Sequence, residues 1–95
     1  MVVGVLYLDL RIHDSQSLKA KRGRMRQLAS KIRNTFEVAV AEVGDQDLWQ
    51  RAQLGIATIG CDPSLINQRL DHVINFVERL GTAEIVDHRI ELINM

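Results

Sequence analysis

One cysteine, one proline and four aromatic rings are all that 95 residues contain of those kinds. With Cys61 alone no intrachain disulfide forms, so stability must come from the core or from partner subunits. Proline enters only at Pro63, and no Gly/Ser/Pro-rich stretch divides the chain, which reads as a single domain over residues 1–95. Long apolar runs are missing too, which predicts no membrane span. The start, Met1-Val2-Val3-Gly4-Val5-Leu6-Tyr7-Leu8, meets Asp9 without a basic leader or a small-residue cleavage site, so a cytoplasmic address is expected. What is present, 46% hydrophobic and 25% charged residues, is the composition of a folded domain and not of a disordered chain. A chain this short buries only about 60–65% of its unfolded surface, so self-association would add to its stability.

The residue clusters that carry chemistry are equally scarce. His13, His72 and His88 fall on three different elements and Cys61 has no CxxC companion, so no metal or redox cofactor is expected. Cys61 is expected to act as a small buried hydrophobe and His88 as a hydrogen-bonded core or edge histidine. Glu42, Asp45 and Asp47 gather at a turn, but the glycine and terminal glutamate of a calcium loop are absent. With no dinucleotide fingerprint, phosphate loop or nucleophile elbow, the expectation is a protein that is not an enzyme.

Hydropathy periods supply a fold. Val2, Leu6, Leu8, Leu10 and Ile12 alternate with Val3, Val5, Tyr7, Asp9 and Arg11, as a strand requires. The period then lengthens, with Leu18, Met25, Leu28, Ala29 and Ile32 marking an amphipathic helix. Ser15 or Ser17 caps its start and Asn34 its end. Gly23 costs this helix about 1 kcal/mol relative to Ala, so its first turn is weakly held unless something packs closely there. From Phe36 a second strand puts Phe36, Val38 and Val40 on one side. A third runs from Gln53 to Ile59, most simply with Leu54, Ile56 and Thr58 inward, although the opposite register, with Ala57 and Ile59 facing the core, fits the pattern equally. Asp62-Pro63 opens a second helix that Gly81 closes, and Val86, His88, Ile90 and Leu92 alternate as a final strand. The order strand, helix, strand, strand, helix, strand predicts an α+β, ferredoxin-like βαββαβ plait. Its four-stranded antiparallel sheet carries both helices on one face. Val3, Val5 and Tyr7 then lie on the uncovered face, where three apolar side chains favour a partner; a second copy of the chain is the expected one.

Charge is balanced in total, 12 basic against 12 acidic residues, and segregated along the chain. Arg11, Lys19, Lys21, Arg22, Arg24, Arg26, Lys31 and Arg33 face Asp14 alone, a net of +7, whereas ten acidic residues against four arginines follow Arg33. At 100° per residue Lys19, Arg22, Arg26 and Arg33 share one flank of the first helix, with Arg24 and Lys31 behind it. One reading is a phosphate-binding ridge of Lys19, Lys21, Arg22, Arg24, Arg26 and Arg33; the other is a solvated face balanced by neighbouring acids. The third strand has no aromatic residue, so base stacking on the sheet is not expected. An RNA contact would run through backbone phosphates instead.

Two stretches carry a family resemblance: Ser17-Leu18-Lys19-Ala20-Lys21-Arg22, and Ala41-Glu42-Val43-Gly44-Asp45-Gln46-Asp47-Leu48-Trp49-Gln50-Arg51-Ala52. With the opening Met1-Val2-Val3-Gly4-Val5-Leu6 and a late Glu84-Ile85-Val86-Asp87, the chain resembles the YlxP-like family of small bacterial proteins. The resemblance implies the same plait and a cytoplasmic bacterial protein whose genes often neighbour those for translation initiation and ribosome maturation factors. It implies no activity. Within the second stretch Asp45, Asp47, Trp49 and Arg51 form a candidate partner-binding loop, since Trp and Arg anchor interfaces. The alternative is that Trp49 folds over the end of the core while Arg51 pairs with Asp47 or Glu42. The expectation is therefore an RNA- or ribosome-associated accessory protein, or else a self-associating interaction module.

Overall fold

The computed structural model describes residues 1–44 and 48–95. Ten residues of alternating burial form β1 (Val2–Arg11), whose row Val2, Leu6, Leu8 and Leu10 is buried. Helix α1 (Leu18–Thr35) starts at Ser17, whose hydroxyl accepts the Ala20 N–H at 3.1 Å, so Ser17 and not Ser15 is the cap. The helix continues past Asn34 to Thr35, and Phe36 closes it by donating its N–H to the Ile32 carbonyl. Phe36 thus leaves the second strand to which its alternation assigned it. Its ring packs edge-on to Phe76 at 5.5 Å, a contact that a strand position would break.

Strand β2 (Ala39–Gly44) and strand β3 (Arg51–Gly60) follow, with Leu54, Ile56 and Thr58 turned inward as expected. Buried Thr58 is satisfied on both sides: it accepts Arg69 Nη1 at 2.6 Å and donates to the Glu37 carbonyl at 2.8 Å. Helix α2 (Pro63–Leu80) opens on Asp62, which accepts the Ser64 N–H, and ends at Gly81 with φ 68°. Strand β4 (Glu84–Asn94) completes an antiparallel sheet in the order β2-β3-β1-β4, the ferredoxin-like α+β plait. The core lies between this sheet and the two helices. Neither helix is long and apolar enough to cross a membrane.

Three placements differ from the sequence reading. A bulge opposite Asp9 and Leu10 makes Val86 the extra residue, so Ile85 takes the inward place and Val86 is exposed. His88 pairs with Leu8 on the edge strand β4, the edge of its two expected places, but is exposed there and not turned to the core. Cys61, just outside the α2 cap, is exposed and not a buried hydrophobe. As for Gly23, a β-carbon there would meet nothing within 4 Å, so no close packing explains it. Gly4 and Gly60 do mark a close approach, for a β-carbon on either would collide with the Ile66 side chain of α2.

Candidate nucleic-acid interface

Helix α1 carries seven basic residues and no acid, and it buries Met25, Leu28, Ala29 and Ile32 against the sheet. That burial fixes which cations face outward. Lys19, Arg22, Arg26 and Arg33 are exposed, and the three arginines line a groove of about 310 Å³ between α1 and the edge strand β2, opposite Val40, Ala41 and Glu42. Among the described residues no carboxylate lies within salt-bridge distance of Arg22, Arg26 or Arg33. Among the described residues no internal ion pair engages their guanidinium groups, which present bidentate donors along one wall.

Two members of the expected ridge stand elsewhere. Lys21 is fully buried, its Nζ 3.2 Å from Glu42 Oε1, so it ties α1 to β2 and is not a surface cation. An ammonium taken out of water requires such a partner. Arg24 is half-buried and donates from Nη1 to the His13 carbonyl at 2.7 Å, holding the β1–α1 connection in which Asp14 adopts φ 64°. Beside it, His13 Nε2 lies 2.9 Å from Glu84 Oε2.

The expected partner-binding loop is divided. Asp45 and Asp47 lie outside the described residues. Trp49 is 53% exposed with Leu48 beside it, so it does not fold over the core. Arg51 donates from Nη2 to Asp9 Oδ2 at 2.8 Å, a partner on β1 that the sequence reading did not name; the expected partner Asp47 lies outside the described residues. The Gln50 carbonyl accepts the Ile12 N–H, which places Trp49 at the end of the sheet from which β1 runs toward α1.

On the uncovered sheet face Val3, Val5 and Tyr7 are half-buried, as the alternation of β1 requires. Cross-strand pairing sets Val3 between Ile59 and Ile93, Val5 between Ala57 and Glu91, and Tyr7 between Gly55 and Arg89. The Arg89 guanidinium lies over the Tyr7 ring, 5.2 Å from its centroid, and occupies one face of this surface's aromatic ring. Arg89 was readable in the sequence, because the alternation that turns His88 one way turns its neighbour the other. Toward β2 the side chains shrink: Ala39 pairs with Ala57 and Ala41 with Gly55, flooring an apolar depression of about 240 Å³.

Residues 3–90 match the family described as "Protein of unknown function (DUF503)". The chain is 30% identical over 83 residues to "Uncharacterized protein YlxP" of Bacillus subtilis (strain 168), covering 87% of this chain and 90% of that protein. Two solved structures are similar in outline. One is the de novo designed protein Foldit4, with a TM-score of 0.49 and 12% identity over 99% of this chain and 97% of the other. The second is a REP-associated tyrosine transposase bound to a REP hairpin, with a TM-score of 0.45 and 13% identity over 98% of this chain and 56% of that one. The match over nearly the whole length and the identity to YlxP establish that the chain belongs to the DUF503 family, the YlxP-like proteins that its sequence resembles.

Proposed function

We propose that the protein is a non-enzymatic RNA-binding accessory module that grips the phosphate backbone along the groove between α1 and β2. One observation carries this reading: Arg22, Arg26 and Arg33 line a single groove with no carboxylate partner among the described residues. The acid on the facing wall, Glu42, is engaged by buried Lys21. Planar guanidinium groups along one wall suit phosphate oxygens, and Tyr7, with Arg89 over its ring, is a poor platform for a base. Recognition is thus by backbone charge and shape. Trp49 supplies an exposed ring for a further contact at the end of the sheet near the start of α1. The gene neighbourhood that the family resemblance implies points to ribosomal or translation-related RNA as the partner class.

The test is a binding titration with a labelled ribosomal RNA hairpin at several salt concentrations, alongside co-sedimentation with ribosomal subunits. Three arginine–phosphate contacts predict a log–log salt slope of about −2 to −3. The doubly substituted R22E/R26E chain loses binding while keeping its fold by circular dichroism. Wild-type binding that ignores salt, or a variant that binds as well as wild type, overturns the proposal.

A further inference from the structure

The uncovered face of the sheet is not flat. Down β1 runs a raised column of Val3, Val5 and Tyr7; beside it the side chains of β3 and β2 fall to Ala57, Gly55, Ala39 and Ala41, a trough of about 240 Å³ closed at one end by Val43. The trough runs beside Val5 and Tyr7 and ends beside Val3, where β3 presents the exposed Ile59; a ridge next to a trough is relief that a second copy of one surface can fill. A two-fold axis parallel to the strands, midway between β1 and β3, lays each β1 over the other molecule's β3. Val5 then enters over Ala57 of the second copy, and Tyr7 comes down beside the Val43 side chain that covers its Gly55. Rotation about an axis perpendicular to the strands stacks trough on trough at the β2 edge instead, and leaves it empty.

Charge selects the same axis. Helix α1, with seven cations and no acid, packs over β2 at one side of the molecule. At the other side β4 carries Glu84, Asp87 and Glu91 against Arg89. A two-fold along the strands sets the basic side of each copy above the acidic side of the other, so their dipoles oppose; the perpendicular axis sets like sides together.

The area suffices as well. Ten residues at about 3.3 Å and four strands at about 4.8 Å give each face roughly 600 Å², so two faces bury about 1,200 Å², enough for a specific interface. Asp9, Arg51 and Arg11 fall at one end of this face, where a polar rim belongs.

We infer that the occupant of the open sheet face is a second copy of this chain, packed sheet to sheet about a two-fold axis along the strands, with Val5 of each over the Ala57 trough of the other and Val3 against its Ile59. Both helix layers remain outward, so the proposed phosphate groove stays open in the dimer.

Sedimentation equilibrium tests this directly. Wild type should weigh twice the 10.8 kDa chain, at low and high salt alike. V5K and A57E alter side chains on the face away from the core, so both should fold by circular dichroism and each alone should be monomeric. Mixed in equal amounts they should recover the dimer, because the introduced ammonium of one chain then meets the introduced carboxylate of the other while the second Val5–Ala57 contact stays native. A monomeric wild type, dimers that survive either substitution, or a mixture that stays monomeric overturns the inference. None of these outcomes depends on RNA binding, and R22E/R26E should leave the mass unchanged.

Discussion

An added methyl group meets nothing at Gly23 and meets Ile66 at Gly4, so one chemical change should have opposite signs at the two glycines. Gly23 sits in the interior of α1 on its exposed face, where Ala removes unfolded-state freedom and adds no clash. Gly23→Ala should stabilise by about 1 kcal/mol, a rise of about 4–8 °C in the unfolding midpoint for a domain this size. Gly4→Ala must displace Ile66 and Leu70 from the sheet and should destabilise by about 1–3 kcal/mol. Urea melts of the two variants check both signs; a Gly4→Ala chain as stable as wild type would show that α2 yields without cost. The same scale shows what the sequence disclosed. Lys21 falls on the helical stripe with Leu18, Met25, Leu28 and Ile32, so its burial was legible in the spacing once phase is weighed above charge. Its partner Glu42 was not, because only the paired sheet brings β2 beneath α1. Trp49 was an open question and Cys61 was wrongly expected to be buried for a related reason: whether a loop residue meets the core depends on where the loop lands.

Between elements, the Lys21–Glu42 pair is the one buried ion pair joining α1 to the edge strand β2 among the described residues. The Lys21 side chain is wholly buried, whereas that of Glu42 keeps 21% of its exposure, so removing the acid is the more damaging half of the exchange. Glu42→Ala should cost about 3 kcal/mol. The double substitution K21M/E42L should regain most of that loss, because two apolar side chains of similar length need no compensation. Chemical denaturation measures the cost, and faster amide exchange along β2 in Glu42→Ala alone locates it. A double variant no better than Glu42→Ala would mean that the pair is not what holds β2 to the helix. Element order was legible in the sequence because each run keeps one period: two for β1, β3 and most of β4, between three and four for both helices. Periodicity fails where a second element intervenes. The bulge that replaces Val86 by Ile85 is a property of the β1–β4 pair, and Phe36 leaves the strand for Phe76, a residue on another helix.

Across the whole molecule, the segregation of charge along the chain becomes a segregation in space, because the first crossover helix carries the basic segment to the β2 side and the acidic final strand closes the opposite edge. A count of charges foretold the first half of this; the loss of Lys21 to the interior and of Arg24 to the His13 carbonyl narrows the ridge to Lys19, Arg22, Arg26 and Arg33. Sheet-to-sheet pairing sends the two ridges to opposite outer layers of the dimer. The helix layers are then separated by two sheets packed about 10 Å apart, and a short hairpin cannot touch both ridges at once. Each protomer should therefore bind RNA on its own. Saturation should occur at one short hairpin per chain with no cooperativity, and the monomeric variants V5K and A57E should match wild-type affinity within about twofold. Those two variants add charges of opposite sign, so an electrostatic side effect would move their affinities in opposite directions, whereas a shared binding surface across the dimer would weaken both. Fluorescence anisotropy with a short hairpin distinguishes the cases: joint loss in V5K and A57E would place RNA on a surface built by both copies and would remove the α1–β2 groove from its role as a self-sufficient site.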